Sequence, residues 1–226
     1  MSKTVTILGA GVMGSAMVLP FADRGMHVRL VGTHLDRAII DSVKASGLHP
    51  KLNVTLPKTV QAFHHEDLAK AVGDDTDFIL LGVASAGVEW AIDKLAGVLK
   101  KATPVIMITK GMSPEPAGLG AFPDVVQAAL QTRLGFKLPV AAIGGPCIAG
   151  ELAVRRQTGT VIVSRDEGLA QSFARDFETD YYHPRTSTDM MGVEACAAFK
   201  NFFAIAVGWA HGKLETLPEA ENKGRN

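Results

Sequence analysis

Short apolar runs alternate with longer amphipathic stretches along most of the chain. Strands buried in a parallel sheet have continuous aliphatic and β-branched runs, whereas helices packed on such a sheet have apolar residues three and four positions apart. The apolar runs predict strands at 4–8, 27–32, 59–63, 77–83, 104–110, 139–145, 158–164 and 180–184. The stretches between them predict helices over 15–24, 36–45, 66–72, 87–101, 123–134 and 167–176, with 48–58 irregular. This alternation is typical of an α/β fold with a doubly wound parallel sheet built from right-handed βαβ units.

The pattern changes near residue 188. From Asp189 onward it predicts one long helix that is apolar on nearly all sides, followed by the polar tail 212–226. A helix of that kind must be buried all round, and a sheet covers only one side of it. We therefore expect a sheet domain at 1–188 and, at 189–226, the first helix and tail of a truncated all-helical domain. Left uncovered, this helix would favour a homodimer or another association through its apolar surface.

Acidic and basic residues balance in this chain, which excludes some classes of partner. Lys plus Arg and Asp plus Glu both total 23, and the pI is about 7.1. Such a balance argues against nucleic acid or an anionic membrane as the main partner. The longest apolar run carries Glu194, Lys200 and Asn201, so we expect no membrane span.

The two cysteines, Cys147 and Cys196, are too few for a disulfide framework and badly spaced for a metal site. We interpret them as free thiols in a reducing compartment. The first predicted strand begins at Thr4, so no signal peptide is expected before it. Together these features predict a cytoplasmic protein without a metal.

A glycine-rich turn, GAGVMG, follows the first predicted strand and opens a helix. In a G-x-G-x-x-G turn the first glycine makes the tight bend and the second lets the backbone approach a pyrophosphate. The third lets the helix pack close to the strand. The N–H groups at the start of the helix favour phosphate. This context predicts a Rossmann-like dinucleotide site formed by Gly9, Gly11, Val12, Met13 and Gly14.

The end of the second predicted strand bears on which dinucleotide is bound. An acidic residue there would bind the ribose 2′-hydroxyl of NAD, but the first one in this chain is Asp36. We expect Asp36 to cap the following helix instead. Without that carboxylate, Thr33, His34 or Arg37 could contact the 2′-phosphate of NADP. The cofactor is therefore NAD or NADP, with a slight preference for NADP.

Two lysines are candidates for chemistry. Lys110 ends the strand 104–110, at the edge where open parallel sheets bind ligands, and the turn 144–151 lies at the end of a later strand. Lys200 lies in the middle of the apolar helix, so its amine either reaches solvent or is held in a polar pocket. On one narrow face of that helix lie Ala197, Lys200, Asn201 and Ala204, which leaves room for a ligand.

Four motifs together resemble those of the NAD(P)-dependent glycerol-3-phosphate dehydrogenases. They are GAGVMG, ITKG, GGPCIAGE and the helix segment DxxGVEACAAFKNFF, in that order. The likeness covers the N-terminal cofactor domain and the first helix of the C-terminal domain. The chain departs from the family at Val12 and Met13, where an aromatic residue is usual, and at Ala84, where proline is usual. The family's later helical domain, which carries an aspartate and an Arg-Asn pair, has no counterpart here.

This resemblance implies reversible hydride transfer between NAD(P)H and dihydroxyacetone phosphate, giving sn-glycerol 3-phosphate. It implies that Lys200 donates and accepts the proton and that Lys110 contacts both substrate and cofactor. An apolar setting would make the Lys200 ammonium easier to deprotonate, and a positioned acid can protonate the developing alkoxide. The resemblance further implies substrate contacts by Lys110, Gly145, Cys147, Lys200 and Asn201 and a cofactor contact by Ala149.

Two other functions stay open at the level of sequence. A reductase of another small keto acid, such as ketopantoate reductase, shares the glycine turn and a helical lysine, although TKG and GGPCIAGE argue against it. A non-catalytic dinucleotide-binding module is the second alternative. Without the helical domain that binds the substrate phosphate in that family, we expect the chain to bind dinucleotide but to catalyse the reaction poorly.

Overall fold

The computed structural model describes residues 2–116 and 118–215, and the end of the polar tail at 216–226 lies outside them. In chain order the strands are β1 (Thr4–Leu8), β2 (His27–Val31), β3 (Leu48–His49), β4 (Val54–Thr55), β5 (Gln61–Phe63), β6 (Phe78–Leu81), β7 (Val105–Met107), β8 (Met112–Glu115), β9 (Gly118–Ala121), β10 (Val140–Gly144), β11 (Thr158–Val163) and β12 (Tyr182–Ser187). The α-helices are α1 (Val12–Ala16), α2 (Val18–Asp23), α3 (Arg37–Ser46), α4 (Leu68–Ala71), α5 (Val88–Ala96), α6 (Phe122–Leu134), α7 (Ala149–Ala153), α8 (Glu167–Phe177) and α9 (Met190–Glu215). Single 3-10 turns lie at His65–Asp67 and Ser85–Gly87.

Eight of these strands form one sheet in the order β12-β11-β10-β7-β6-β1-β2-β5. β1 pairs in parallel with β2 on one side and with β6 on the other. The chain therefore winds outward in both directions from β1, and the strand order reverses between β1 and β6. The crevice beyond the carboxyl ends of such strands is where open α/β sheets bind ligands. The prediction of a doubly wound α/β fold is confirmed.

The core lies on both faces of the sheet. All five residues of β1 are buried, because parallel strands are covered by helices on each side. On one face the rings of Phe21, Phe78, Phe173 and Phe177 pack with centroids 4.7 to 5.6 Å apart. On the other face α5 and α6 cover Ile79 and Leu81 of β6. The buried sheet thereby gives the ligand-binding edge a rigid base.

The sheet differs from the predicted all-parallel one at β11, which runs antiparallel to β10 with Ala142 opposite Val163. The connecting segment contains only the five-residue helix α7, which packs against α1 at the ligand-binding edge. Because the chain stays at that edge instead of crossing the sheet, the next strand must run back. The hairpin of β8 and β9, and the short one of β3 and β4 inside 48–58, were also not predicted.

The long helix α9 rests on the sheet only through its first turns. Met190, Glu194 and Ala197 are buried there, whereas the side chains at 201–210 are exposed. The large apolar side chains of α9 that the structure leaves in solvent are Met191, Phe199, Phe202, Phe203, Ile205, Val207 and Trp209. Its stretch Met190–Lys213 is long and apolar enough to cross a membrane, which is weak evidence because core helices of soluble proteins pass the same test.

Candidate functional site

The glycine turn has the geometry of a phosphate cradle. Gly9 has φ +117°, and a Cβ there would lie 2.6 Å from the carbonyl oxygen of Gly82, at the end of β6. A Cβ on Gly14 would lie 2.2 Å from the carbonyl oxygen of Gly9. A Cβ on Gly11, by contrast, would meet nothing within 4 Å. Gly9 and Gly14 are thus required by packing, whereas Gly11 keeps open a space that a pyrophosphate fits.

The start of α1 completes this cradle. Gly11 precedes the helix, and Val12 and Met13 begin it, so their N–H groups lie in the first turn, which lacks intrahelical acceptors. Val12 is 41% exposed, at the open side of the turn. Open backbone space beside first-turn N–H groups suits two linked phosphates. The residues present therefore fit a dinucleotide.

Asp36 is at the N-cap position of α3, as predicted, but its side chain does not cap that helix. Its Oδ2 instead accepts hydrogen bonds from the N–H of Ala10 at 3.2 Å, the N–H of Thr33 at 2.8 Å and the hydroxyl of Thr33 at 2.8 Å. The buried carboxylate turns toward the glycine turn because the buried N–H of Ala10 needs an acceptor. The Thr33 hydroxyl, whose hydrogen is donated to Asp36, also accepts from the N–H of Leu35 at 3.2 Å.

Three rings from different loops lie together beyond β2. His34 follows β2, His65 follows β5, and Trp90 is in the first turns of α5. The ring centroids of His34 and Trp90 are 5.6 Å apart, and those of His65 and Trp90 are 6.0 Å apart. The sequence predicted only His34 here, because no local pattern shows that loops following β5 and β6 meet the end of β2.

The guanidinium of Arg37 forms an ion pair with Glu66 beside these rings, with both side chains half exposed. The pKa of the Glu66 carboxyl is lowered. The largest cause is a hydrogen bond with its own backbone, and the Arg37 charge contributes less. The Arg37 cation and these rings lie together at the end of β2. They form a surface that fits the phosphorylated ribose of an adenosine.

Lys110 and Lys200 are neighbours at the ligand-binding edge. The hydroxyl of Thr109 donates to the carbonyl of Val83 at 2.8 Å, which fixes the segment after β7 against the end of β6. Burial of its amine, and then the adjacent Lys200 charge, lower the pKa of Lys110. That burial is partial, because Lys110 is an exposed residue, and Lys200 is partly buried. Two ammonium groups held together favour a bound anion.

The turn after β10 lies next to these lysines. Gly145 has φ +123°. Cys147 is buried, and burial raises the pKa of its thiol although Thr158, Lys110 and Lys200 act in the opposite direction. Ala149 begins α7, one turn further on. The turn therefore brings its predicted substrate residues to the two amines.

Helix α9 reaches this turn because Gly144 has no side chain. A Cβ on Gly144 would lie 2.7 Å from Cγ1 of Val193. A cleft of about 470 Å³ opens between α9 and the turn and is lined by Gly145, Pro146, Val161, Asp189, Gly192, Val193, Cys196, Ala197 and Lys200. Asn201 is exposed next to the cleft and outside its lining. The structure thus joins Lys110, Lys200, Gly145 and Cys147 at one place.

One family model, described as the N-terminus of NAD-dependent glycerol-3-phosphate dehydrogenase, matches residues 4–170 of the chain. The chain belongs to this family. The glycine turn, Lys110 and the turn after β10 lie inside the matched region, and α9 follows it. The resemblance inferred from four sequence motifs is therefore confirmed.

A curated relative extends the likeness into α9. The NADP(+)-dependent glycerol-3-phosphate dehydrogenase of Archaeoglobus fulgidus is 35% identical over 208 residues, which are 92% of this chain and 60% of that protein. The crystal structure of the glycerol-3-phosphate dehydrogenase from Coxiella burnetii has a TM-score of 0.77 and 27% identity, covering 96% of this chain and 63% of that one. The dehydrogenase relative is thus longer, and this chain spans about 60% of it.

The alternative of a ketopantoate reductase has a weaker likeness. Such an enzyme from Ralstonia eutropha has a TM-score of 0.63 at 20% identity, covering 96% of this chain and 69% of that one. A likeness at that identity shows the shared fold alone. Among residues 2–116 and 118–215, no group of three or more His, Cys, Asp or Glu side chains lies close enough to hold a metal ion.

Proposed function

We propose that this chain binds NAD(P)(H) at the glycine turn and serves hydride transfer between that cofactor and dihydroxyacetone phosphate, giving sn-glycerol 3-phosphate. The observation that carries the proposal is the meeting of Lys110 and Lys200 at the carboxyl ends of the strands. Lys110 is brought there by β7 and Lys200 by α9. Two amines beside a dinucleotide crevice suit a phosphorylated ketone, whose oxygen gains negative charge during reduction.

The residues of this chain would divide the work as follows. The bound cofactor supplies the hydride. Lys200 donates the proton to the developing alkoxide, and Lys110 stabilises substrate charge and contacts the cofactor. The turn with Gly145 and Cys147 positions the substrate, with Asn201 orienting Lys200 and Ala149 contacting the cofactor. A positioned acid of this kind contributes about 10²- to 10⁴-fold to the rate.

A slight preference for NADP is part of the proposal. Oδ2 of Asp36 accepts from Ala10 and Thr33 and the residue is buried, which leaves this oxygen unavailable to a ribose hydroxyl. Arg37 and His34 lie at the end of β2, where a 2′-phosphate would need a cation. The relative from Archaeoglobus fulgidus is named as NADP(+)-dependent.

The proposal includes a division of the chain and its surroundings. Residues 1–188 form the cofactor domain, and 189–226 begin a helical substrate domain. The exposed face of α9 is covered by association, either with a second copy or with further helices. Both cysteines are free, which fits a reducing, cytoplasmic compartment. The partner of the site is a small phosphorylated molecule, not nucleic acid.

The test is a pair of titrations and a substrate panel on the 226-residue chain. NADPH and NADH are titrated by the change in their fluorescence on binding, and NADPH is expected to bind more tightly. Oxidation of bound NADPH is then followed with dihydroxyacetone phosphate and with ketopantoate. Slow turnover of the first alone is expected. Turnover of ketopantoate alone would favour the reductase, and binding without any turnover would favour the non-catalytic module.

A further inference from the structure

Ala10, the residue between Gly9 and Gly11, is fully buried, yet both of its backbone polar groups are hydrogen-bonded to side chains. Its N–H donates to Oδ2 of Asp36 at 3.2 Å. Its carbonyl is 3.1 Å from Nε2 of His49 and accepts from the hydroxyl of Ser15 at 3.2 Å. Buried backbone groups left without partners are destabilising. These three side chains therefore help to fix the conformation of the glycine turn.

The tautomer of His49 follows from its two contacts. The N–H of Leu52 donates to Nδ1 at 3.1 Å, so Nδ1 is the acceptor and Nε2 carries the hydrogen that is donated to Ala10. The ring is fully buried. Nδ1 is thus bonded to the hairpin that carries His49, and Nε2 is bonded to the glycine turn.

The hairpin that carries His49 is itself anchored. β3 pairs with β4 with His49 opposite Val54, and the hydroxyl of Ser42 on α3 donates to the carbonyl of Leu48 at 2.8 Å. The N–H of Leu56 donates to the carbonyl of Gly47 at 2.9 Å. The imidazole is therefore presented to Ala10 by a fixed support and not by a free loop.

We infer that His49 is a positioning residue for the pyrophosphate site. Through its hydrogen bond to the Ala10 carbonyl it holds the glycine turn in the form that leaves space beside Gly11 and turns the N–H groups of Val12 and Met13 outward. A turn fixed before binding loses less conformational entropy when the phosphates bind. The inference rests on the proposed function, because it concerns the same dinucleotide site.

Two amide variants, each matching one ring nitrogen, separate this role from a structural one. In His49→Gln the amide nitrogen takes the place of Nε2, which keeps the bond to Ala10 and removes the bond to Leu52. In His49→Asn the side-chain oxygen takes the place of Nδ1, which keeps the bond to Leu52 and removes the bond to Ala10. Each variant loses one buried hydrogen bond, so a merely structural residue would give equal effects in both.

The experiment titrates NADPH into the 226-residue chain and both variants and measures their thermal midpoints. We expect similar midpoints for the two variants but an NADPH affinity about three- to tenfold weaker in His49→Asn only. Hydrogen exchange of the amides at 10–14 without cofactor should be faster in that variant alone.

Equal NADPH affinities in the two variants would overturn the inference. If His49→Asn does not fold, the test rests on His49→Gln, which keeps the bond to Ala10, and an NADPH affinity more than about threefold weaker in that variant would overturn the inference. A wild-type chain that binds no NADPH overturns the proposed function together with the inference, whereas tight wild-type binding with indistinguishable variants overturns the inference alone.

Discussion

The charge of Lys200 is near enough to Lys110 to lower its pKa, although one residue follows a central strand and the other lies on the last helix. Like charges so close destabilise each other unless an anion joins them or one amine releases its proton. Their proximity is the feature of this chain on which the proposed chemistry depends.

Replacing Lys200 with methionine should raise the pKa of Lys110. The shift should be partial, because burial, which remains in the variant, lowers the pKa of Lys110 more than the Lys200 charge does. Competitive acetylation across a pH series, read by mass spectrometry of the Lys110 peptide, measures the change. The exposed Lys44 offers a control in Lys44→Met. Identical titration of Lys110 with and without Lys200 would show that the two amines do not interact.

The same variant tests the proposed chemistry. In a chain with measurable oxidation of NADPH by dihydroxyacetone phosphate, Lys200→Met should lower the rate by at least about a hundredfold. NADPH affinity should change little, because the glycine turn is intact. A loss of rate below about tenfold would remove Lys200 from the role of proton donor.

Alanine at Gly11 and at Gly14 should have opposite consequences. Gly11 has φ −65° and free space for a Cβ, so Gly11→Ala should leave the unfolding free energy unchanged and weaken NADPH binding at least about tenfold by filling the phosphate space. Gly14→Ala should destabilise the chain by about 1–3 kcal/mol through the contact with the Gly9 carbonyl. Urea unfolding and NADPH titration measure the two effects. The control is Gly208→Ala, on the exposed part of α9 with open space around it. Lost stability in Gly11→Ala, with weakened NADPH binding but unchanged stability in Gly14→Ala, would contradict the geometry.

Glu194 predicts a pH dependence of stability. It is 1% exposed, and among the residues that the structure describes its Oε2 has no hydrogen-bond partner. Burial, with a smaller contribution from Asp124, raises the pKa of its carboxyl to about 7. The folded state therefore holds this proton more tightly than the unfolded state. The stability that the protonated carboxyl contributes is complete below its ordinary value of 4.5 and is lost as the pH rises through about 7.

Glu194→Gln removes this titration. The variant should match the wild type near pH 4.5 and be more stable above pH 8 by about 1–2 kcal/mol, allowing for solvent screening. Urea unfolding at both pH values measures the difference. Glu178→Gln, at an exposed position, should show no such dependence. A constant difference between Glu194→Gln and wild type at all pH values would contradict the raised pKa.

The exposed apolar face of α9 should drive association. Phe202 and Trp209 are 69% and 67% exposed and belong to a run of exposed apolar side chains. Contiguous apolar patches of this kind are rare on monomers and mark association surfaces. The wild-type chain should associate in a concentration-dependent manner in sedimentation equilibrium, and Phe202→Asp with Trp209→Asp should weaken this at least tenfold. Val154→Asp, 63% exposed on another surface, is the control. A wild-type chain that stays monomeric would contradict the prediction.

Periodicity alone predicted the strands of the sheet and their order of appearance, because buried parallel strands and amphipathic helices have distinct repeats. It missed the direction of β11, since an antiparallel pair and a parallel pair can have the same apolar run. The prediction that the side chain of Asp36 caps α3 was wrong for a related reason. The capping prediction considered only N–H groups close to Asp36 in sequence. The fold brings the buried N–H of Ala10 to the same carboxylate, where it competes with them.

The sequence by itself determined the family, the glycine turn and the identity of the two lysines, because each of these is written in a contiguous motif whose chemistry does not depend on distant residues. Only the tertiary structure decided that Lys110 meets Lys200, that His49 reaches Ala10, and that the carboxylate of Asp36 faces inward. These relationships join residues from different loops at one edge of the sheet. The crossing of strands and helices creates that proximity, and no spacing along the chain encodes it.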